Sequence, residues 1–112
     1  MCKILMPINP EYVDEILMGN KKYEYRKIKA KRRNIDKMVI YSTSPIMRVV
    51  AEVDIEEIIE DSPEKLWEQT KEHSGVTKDF YSKYYKNKES AIAYKLGILK
   101  YMISRKKSVI LE

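Results

Sequence analysis

The run of residues from Met47 to Ile59 limits the fold of this chain more than any other feature. It is long and rich in β-branched residues, and apolar positions alternate with mostly acidic ones along much of it. Val49, Ala51, Val53 and Ile55 share one parity, and Val50, Glu52, Asp54 and Glu56 share the other, which is mostly acidic. Because successive side chains of a strand point to opposite faces, the pattern predicts one long strand with a solvated acidic face.

Shorter segments on both sides of this strand follow helical or strand spacing. In chain order they predict a buried strand over 4–8, a helix over 10–18, strands over 22–28 and 38–41, helices over 62–72 and 77–86, and strands over 91–103 and 108–111. This order differs from the regular alternation that builds parallel α/β sheets. It predicts an α+β fold with a single domain over residues 1–112, a small and mostly antiparallel β-barrel of five to six strands with three short helices.

The composition argues against several classes of protein and of functional site. No apolar run approaches the roughly 20 residues that span a bilayer, and the first residues lack the apolar core of a secretory signal. We therefore expect a cytoplasmic protein with no membrane partner. The chain has one cysteine, Cys2, and one histidine, His73, which cannot build a Cys/His zinc site. We expect no metal, no Cys–His catalysis and no cofactor.

Charge is divided between two parts of the chain. Residues 20–48 hold ten basic and two acidic side chains, whereas residues 51–68 hold one basic and eight acidic ones. The basic part, which includes Lys22, Arg32 and Arg33, would attract phosphates over about a Debye length. It predicts nucleic acid as the first partner to consider, although a solvated basic face without a partner explains the charge equally well.

Residues 19–26, Gly-Asn-Lys-Lys-Tyr-Glu-Tyr-Arg, carry the most informative motif. Glu24 and Arg26 are two apart on a predicted strand, so they project from one face and can pair. Lys21 follows the turn at Gly19, from which it can reach over the end of the barrel. A fixed carboxylate beside two cations suits a phosphate together with a base or sugar donor. The alternative is a surface ion pair without a role, worth roughly 0–1 kcal/mol.

This motif resembles the signature G-x-K-x-x-E-x-R of the ASCH family, whose members have the PUA-like barrel fold. The predicted order of elements over residues 3–103 is also similar to that of the family. The resemblance implies RNA binding and a role in regulating transcription or translation, with Lys21, Glu24 and Arg26 at the site.

Some ASCH proteins are enzymes, namely an amidohydrolase that acts on acetylated cytidine and a ribonuclease. The amidohydrolase is similar in its lysine, here Lys21, but the threonine that follows it is missing, since Lys22, Tyr23 and Glu24 occupy the next positions. A ribonuclease would need a general base and charge stabilisation, which Glu24 with Lys21 and Arg26 could supply. We expect an RNA- or nucleotide-binding module with a basic cleft. There are two alternatives. One is a small hydrolase with Lys21 and Glu24 as catalytic residues, and the other is a protein-binding role for the acidic strand.

Three further candidates lie near strand ends. Ser42 and Ser44 share a face before Pro45, where their hydroxyls could contact a phosphate or a base edge, or simply form a turn. Lys95 resembles the lysine of the last strand of the ASCH family, and the resemblance makes it a candidate for the same cleft.

Aromatic residues and lysines alternate on the second of the two later helices. Phe80 and Tyr84, at helical spacing, are expected in the core. Tyr81 and Tyr85 would then be the exposed rings, placed to stack unpaired bases while neighbouring lysines hold the backbone.

Overall fold

The computed structural model describes residues 2–31 and 34–102, and these residues have the α+β architecture expected from the sequence. Their elements are β1 (Cys2–Ile8), α1 (Pro10–Leu17), β2 (Tyr23–Arg26), β3 (Ile35–Ser42), β4 (Arg48–Asp61), α2 (Pro63–Thr70), a 3₁₀ turn (Lys71–His73), α3 (Lys78–Tyr84) and β5 (Ala91–Met102). The predicted strand over 108–111 lies outside the described residues. Among those described, no helix is long and apolar enough to cross a membrane.

The five strands form one sheet in the order β1-β3-β4-β5-β2. Only β1 and β3 pair in parallel, and the other three pairings are antiparallel, as the sequence predicts. The sheet is a curled half-barrel, in which β1 and β2 are the edges. Their backbones do not pair with each other, so the half-barrel has an open seam between these two strands.

Irregular pairing along β4 explains both the curl and an error in the predicted burial pattern. The register between β4 and β5 shifts at three places between Glu52 and Glu57, and such bulges bend a strand and increase its twist. Another shift interrupts the pairing of β3 with β4. As a result Val50 and Ala51 are both buried, whereas Val49 is 36% exposed, so the expected parity is wrong at this end of the strand.

The three helices begin where the sequence predicts. The side chains of Asn9, Ser62 and Thr77 each accept a hydrogen bond from a backbone N–H of the first turn, at 2.9, 3.3 and 3.0 Å. Pro10 and Pro63 occupy first helical positions, where the missing N–H costs nothing. Helices of seven or eight residues are marginal on their own, so these caps and the packing against the sheet determine where the helices lie.

Two hydrophobic clusters cover the faces of the sheet. The larger cluster contains Val13 of α1 and buried residues of β1, β3, β4 and β5. The smaller one packs α2 and α3 against β2 and β5, with Leu66, Tyr81 and Tyr85 at its centre. Helices α1 and α3 thus pack in different clusters, yet they meet beside the open seam, where Tyr12 of α1 contacts Phe80 of α3.

Candidate functional site

A cleft of about 220 Å³ lies at the open seam of the half-barrel. The end of β1, helices α1 and α3, strand β2 with the segment before it, and the loop after the 3₁₀ turn form its walls. Its lining residues are Pro7, Ile8, Asn9, Tyr12, Lys21, Glu24, Tyr25, Arg26, Val76, Phe80, Tyr81 and Tyr84. The cleft therefore exists because the two edge strands do not pair.

Lys21 is the most unusual side chain of the cleft, since it is only 3% exposed. Its Nζ donates a hydrogen bond to the Ser74 carbonyl at 2.7 Å. The same atom lies 4.9 Å from the ring centroid of Tyr25 and 5.7 Å from that of Tyr12, within the range of cation–π attraction. Burial lowers the pKa of Lys21 to about 8, against the opposing effect of Glu24 and with a further lowering by Arg26.

The loop after the 3₁₀ turn holds Lys21 in place. The N–H of Lys22 donates to the His73 carbonyl at 2.8 Å, which ties the start of β2 to this loop. Gly75, with φ +71°, passes directly against the aliphatic stem of Lys21. A Cβ at position 75 would lie 2.7 Å from Cδ of Lys21 and closer still to its Cβ. Glycine is therefore required both by the left-handed backbone and by the space that Lys21 occupies.

Glu24 and Arg26 form the ion pair that their spacing predicts. Nε and Nη2 of Arg26 lie 3.1 and 3.0 Å from Oε2 of Glu24. Nη2 also donates to the Pro7 carbonyl at 2.6 Å, so the guanidinium connects β2 to β1 across the seam. Burial raises the pKa of Glu24, while Lys21 and Arg26 lower it. Both contacts from Arg26 go to Oε2 of this carboxylate.

Aromatic rings form the wall of the cleft opposite this ion pair. Tyr12 and Phe80 lie 5.7 Å apart between ring centroids, and Phe80 stacks with Tyr84 at 6.1 Å and an interplanar angle of 11°. Phe80 is 44% exposed. The cleft thus combines two cations, one carboxylate and an accessible aromatic surface. No group of three His, Cys, Asp or Glu side chains in residues 2–31 and 34–102 is placed to hold a metal ion.

The sequence model of the ASCH domain matches residues 6–100. The chain belongs to the ASCH family. The ASCH protein from Zymomonas mobilis has a similar structure, with a TM-score of 0.81 and 21% identity over 98% of this chain and 80% of that chain. A mutant of the same Zymomonas mobilis protein gives a TM-score of 0.80, with 22% identity and the same shares covered.

The hypothetical protein PH0355 is also similar, with a TM-score of 0.62 and 24% identity over 85% of this chain and 97% of that chain. Sequence identities this low show a shared fold alone. That fold is the PUA-like half-barrel. No curated protein matches the chain.

The ASCH signature residues Lys21, Glu24 and Arg26 meet in the cleft, but Tyr81 and Tyr85 are not its exposed rings. Both are 3% exposed. The Tyr81 hydroxyl donates to the Pro63 carbonyl at 2.8 Å, and the Tyr85 hydroxyl lies 2.9 and 3.1 Å from the carbonyls of Arg26 and Ile92. The expected exposure of these two rings is therefore wrong, and so is the placement of Phe80 in the core.

The reason is the orientation of α3 on the sheet. Tyr25 of β2 packs edge to face against Tyr81 at 5.1 Å, and Trp67 of α2 packs against the same ring at 4.6 Å. Backbone carbonyls accept from both buried hydroxyls, which removes the cost of burying them. The sequence did not identify Phe80 or Tyr12 as residues of the cleft, because helical spacing alone does not show which apolar stripe of a helix faces the sheet.

The remaining candidates lie away from the cleft or outside the described residues. Ser42 is fully buried on β3 and does not line the cleft, and Ser44 is exposed in the following turn. Lys22 and Lys95 line a second cavity, which shares Lys21 with the cleft. Nζ of Lys95 lies there 3.7 Å from Oε1 of Glu56. Neither Ser42 nor Lys95 therefore lines the cleft, and a contact of either with nucleic acid stays a prediction. Arg32 and Arg33 are outside the described residues.

Proposed function

We propose that the chain is an RNA-binding module that holds one unpaired nucleotide in the cleft. The observation that carries the proposal is the meeting of Lys21, Glu24 and Arg26 opposite a partly exposed aromatic wall. The volume of about 220 Å³ is below the roughly 300 Å³ at which pockets for drug-sized ligands begin. It suits one base with part of its ribose.

Each side of the cleft has a chemical role in this proposal. The Arg26 guanidinium and the Lys21 ammonium attract a phosphate or a base carbonyl. Oε1 of Glu24 accepts a hydrogen bond from a base N–H or a ribose hydroxyl. Tyr12, Phe80 and Tyr84 offer ring faces for base stacking, which tolerates any base because every base has a π-face.

The charge distribution supports a nucleic-acid partner. The basic residues that follow β2, including the exposed Lys27, Lys29 and Lys31, continue directly from the Arg26 end of the cleft. Such a surface attracts a polyanion at a distance and gives binding that weakens as salt rises. Family membership favours RNA over DNA, an argument from analogy of fold.

A small hydrolase acting in the same cleft is the second candidate. It is favoured by the pKa of Lys21, lowered to about 8, and by the raised pKa of the buried Glu24, because perturbed groups cluster at catalytic sites. In a ribonuclease, Glu24 would act as general base while Lys21 and Arg26 stabilise the charge that develops on the phosphate.

One substitution separates the two candidates. Glu24→Gln keeps the shape of the side chain and removes its charge and basicity, and Glu56→Gln on the exposed face of β4 is the matched control. Binding of fluorescent single-stranded RNA is measured by anisotropy at several salt concentrations, and the same RNA is checked for cleavage on a gel. We expect salt-dependent binding that Glu24→Gln alters and Glu56→Gln does not.

Two results would contradict the proposal of an RNA-binding module. Metal-independent cleavage that disappears in Glu24→Gln, by on the order of 100-fold in rate, would make the hydrolase the correct function. A wild-type chain that fails to bind any single-stranded RNA, even at low salt, would refute the RNA-binding proposal.

A further inference from the structure

The cleft continues on both sides into open grooves of opposite charge. On one side it shares Pro7, Arg26 and Tyr84 with a groove of about 400 Å³, which we call the basic groove. Besides these shared residues, the basic groove is lined by Ile4, Leu5, Met6, Lys27, Ile28, Ala30 and Tyr94. The Arg26 guanidinium therefore lies on the boundary between the cleft and the basic groove.

On the other side the cleft shares Tyr12, Val76 and Phe80 with a groove of about 500 Å³, which we call the acidic groove. Glu11 and Glu15 line it. A strand that leaves the cleft in this direction would bring its next phosphate towards two carboxylates. Repulsion between like charges opposes that path.

Two side chains in the basic groove expose large apolar surfaces. Ile28 is 81% exposed and Leu5 is 59% exposed. Lys27 adds a cation beside them, with its Nζ 4.7 Å from the ring centroid of Tyr84. The Arg26 side chain is 30% exposed. A phosphate followed by a base requires cations beside an apolar surface. Arg26 and Lys27 supply the cations, and Leu5 and Ile28 supply the apolar surface.

We propose that the basic groove is a second nucleotide subsite, and that a single RNA strand passes from the cleft across Arg26 into it. This inference rests on the proposed RNA-binding function and specifies the ligand as two or more consecutive unpaired nucleotides. The linking phosphate lies at Arg26 and Lys27, and the second base covers Leu5 and Ile28. The acidic groove stays empty of RNA.

The test compares one nucleotide with two. Mixed-sequence ribonucleoside 5′-monophosphates and dinucleotides are titrated into isotopically labelled protein, and affinities are measured from NMR shifts. Because a second base that covers Leu5 and Ile28 removes apolar surface from water, and its phosphate meets Lys27, we expect dinucleotides to bind at least about fivefold more tightly than mononucleotides.

Variants of exposed residues then locate the second subsite. The double variant Lys27→Gln/Ile28→Ser should lose the dinucleotide advantage, expressed as the ratio of dinucleotide to mononucleotide affinity measured in that same variant. The matched double variant Lys88→Gln/Ile98→Ser changes one exposed lysine and one exposed isoleucine that line neither the cleft nor the two grooves. It should keep the advantage, as should Glu11→Gln in the acidic groove.

The possible failures are distinguishable. Equal affinities for mononucleotides and dinucleotides, or an advantage that survives in Lys27→Gln/Ile28→Ser, would overturn the second subsite and leave the proposed function intact. Loss of the advantage in Glu11→Gln would place the second nucleotide in the acidic groove and overturn the proposed path. An absence of binding at every length would overturn both proposals.

Discussion

Replacing Gly75 with alanine should displace Lys21 from the cleft, although residue 75 is not proposed to contact RNA. The added methyl group would lie 2.7 Å from Cδ of Lys21 and closer still to its Cβ, far inside van der Waals contact. The atoms it meets are the rigid base of the side chain rather than its flexible end, so either the loop or the start of β2 must move. Overpacking of this kind costs about 1–3 kcal/mol.

Gly19→Ala is the matched control for this experiment. Gly19 also has a positive φ, +86° against +71° for Gly75, but a Cβ there would meet nothing within 4 Å. Both variants carry the cost of a left-handed alanine, about 1–2 kcal/mol. The difference between their free energies of unfolding, measured by urea denaturation, therefore isolates the contact with Lys21, and we expect Gly75→Ala to be less stable by about 1–3 kcal/mol.

The same pair of variants tests the role of Lys21 in binding. If the Lys21 ammonium meets a phosphate, its displacement should reduce RNA affinity. It should also make the slope of log affinity against log salt shallower by about 0.7, the contribution of one phosphate contact on a single strand. Gly19→Ala should keep the wild-type slope. Equal stabilities and equal slopes in the two variants would refute the argument that Gly75 positions Lys21 for binding.

Three other predictions concern residues inside and outside the cleft. Because the folded chain releases the Lys21 proton at a pKa of about 8 and the unfolded chain at 10.5, the contribution of Lys21 to stability should rise with pH between these values. Comparison of urea midpoints with Lys21→Met measures this contribution. RNA affinity should fall as the pH rises through about 8, where the folded chain loses the Lys21 proton. A pH dependence identical in both proteins contradicts the prediction. Ser42→Ala should leave the melting temperature equal or slightly higher, because the buried Ser42 hydroxyl has no hydrogen-bond partner among the described residues. RNA affinity should stay unchanged. Weaker RNA binding would show that Ser42 contributes to the site. The double reversal Arg32→Glu/Arg33→Glu should weaken binding to all RNA sequences alike and flatten the salt slope in anisotropy titrations, and unaltered binding would remove both arginines from the interface.

Local signals in the sequence were sufficient for most of the fold and for the centre of the cleft. Asn9, Ser62 and Thr77 cap helices because capping depends on one side chain and the next three residues. Glu24 and Arg26 pair because residues two apart on a strand share a face whatever the tertiary structure. Such features need no knowledge of how distant segments pack.

The errors arose where packing between distant segments decides the outcome. The bulges of β4 depend on its pairing with β3 and β5, so the parity of Val49 could not be read from its own segment. The burial of Tyr81 and Tyr85 depends on Tyr25 and Trp67, which lie far away in sequence. Strand β1 was expected to be buried, but Leu5 is 59% exposed because it shares with Lys3 and Pro7 the exposed face of the strand.

The most direct test of the account is to locate a bound nucleotide relative to the aromatic wall of the cleft. Intermolecular nuclear Overhauser effects can be measured between a short single-stranded RNA and the ring protons of the labelled protein. If the cleft holds an unpaired nucleotide, base protons should show contacts to Tyr12, Phe80 or Tyr84, and the Lys21 side-chain resonances should shift. RNA that binds without any contact to these rings, while the Lys21 resonances stay unchanged, would contradict the claim that the cleft holds an unpaired nucleotide.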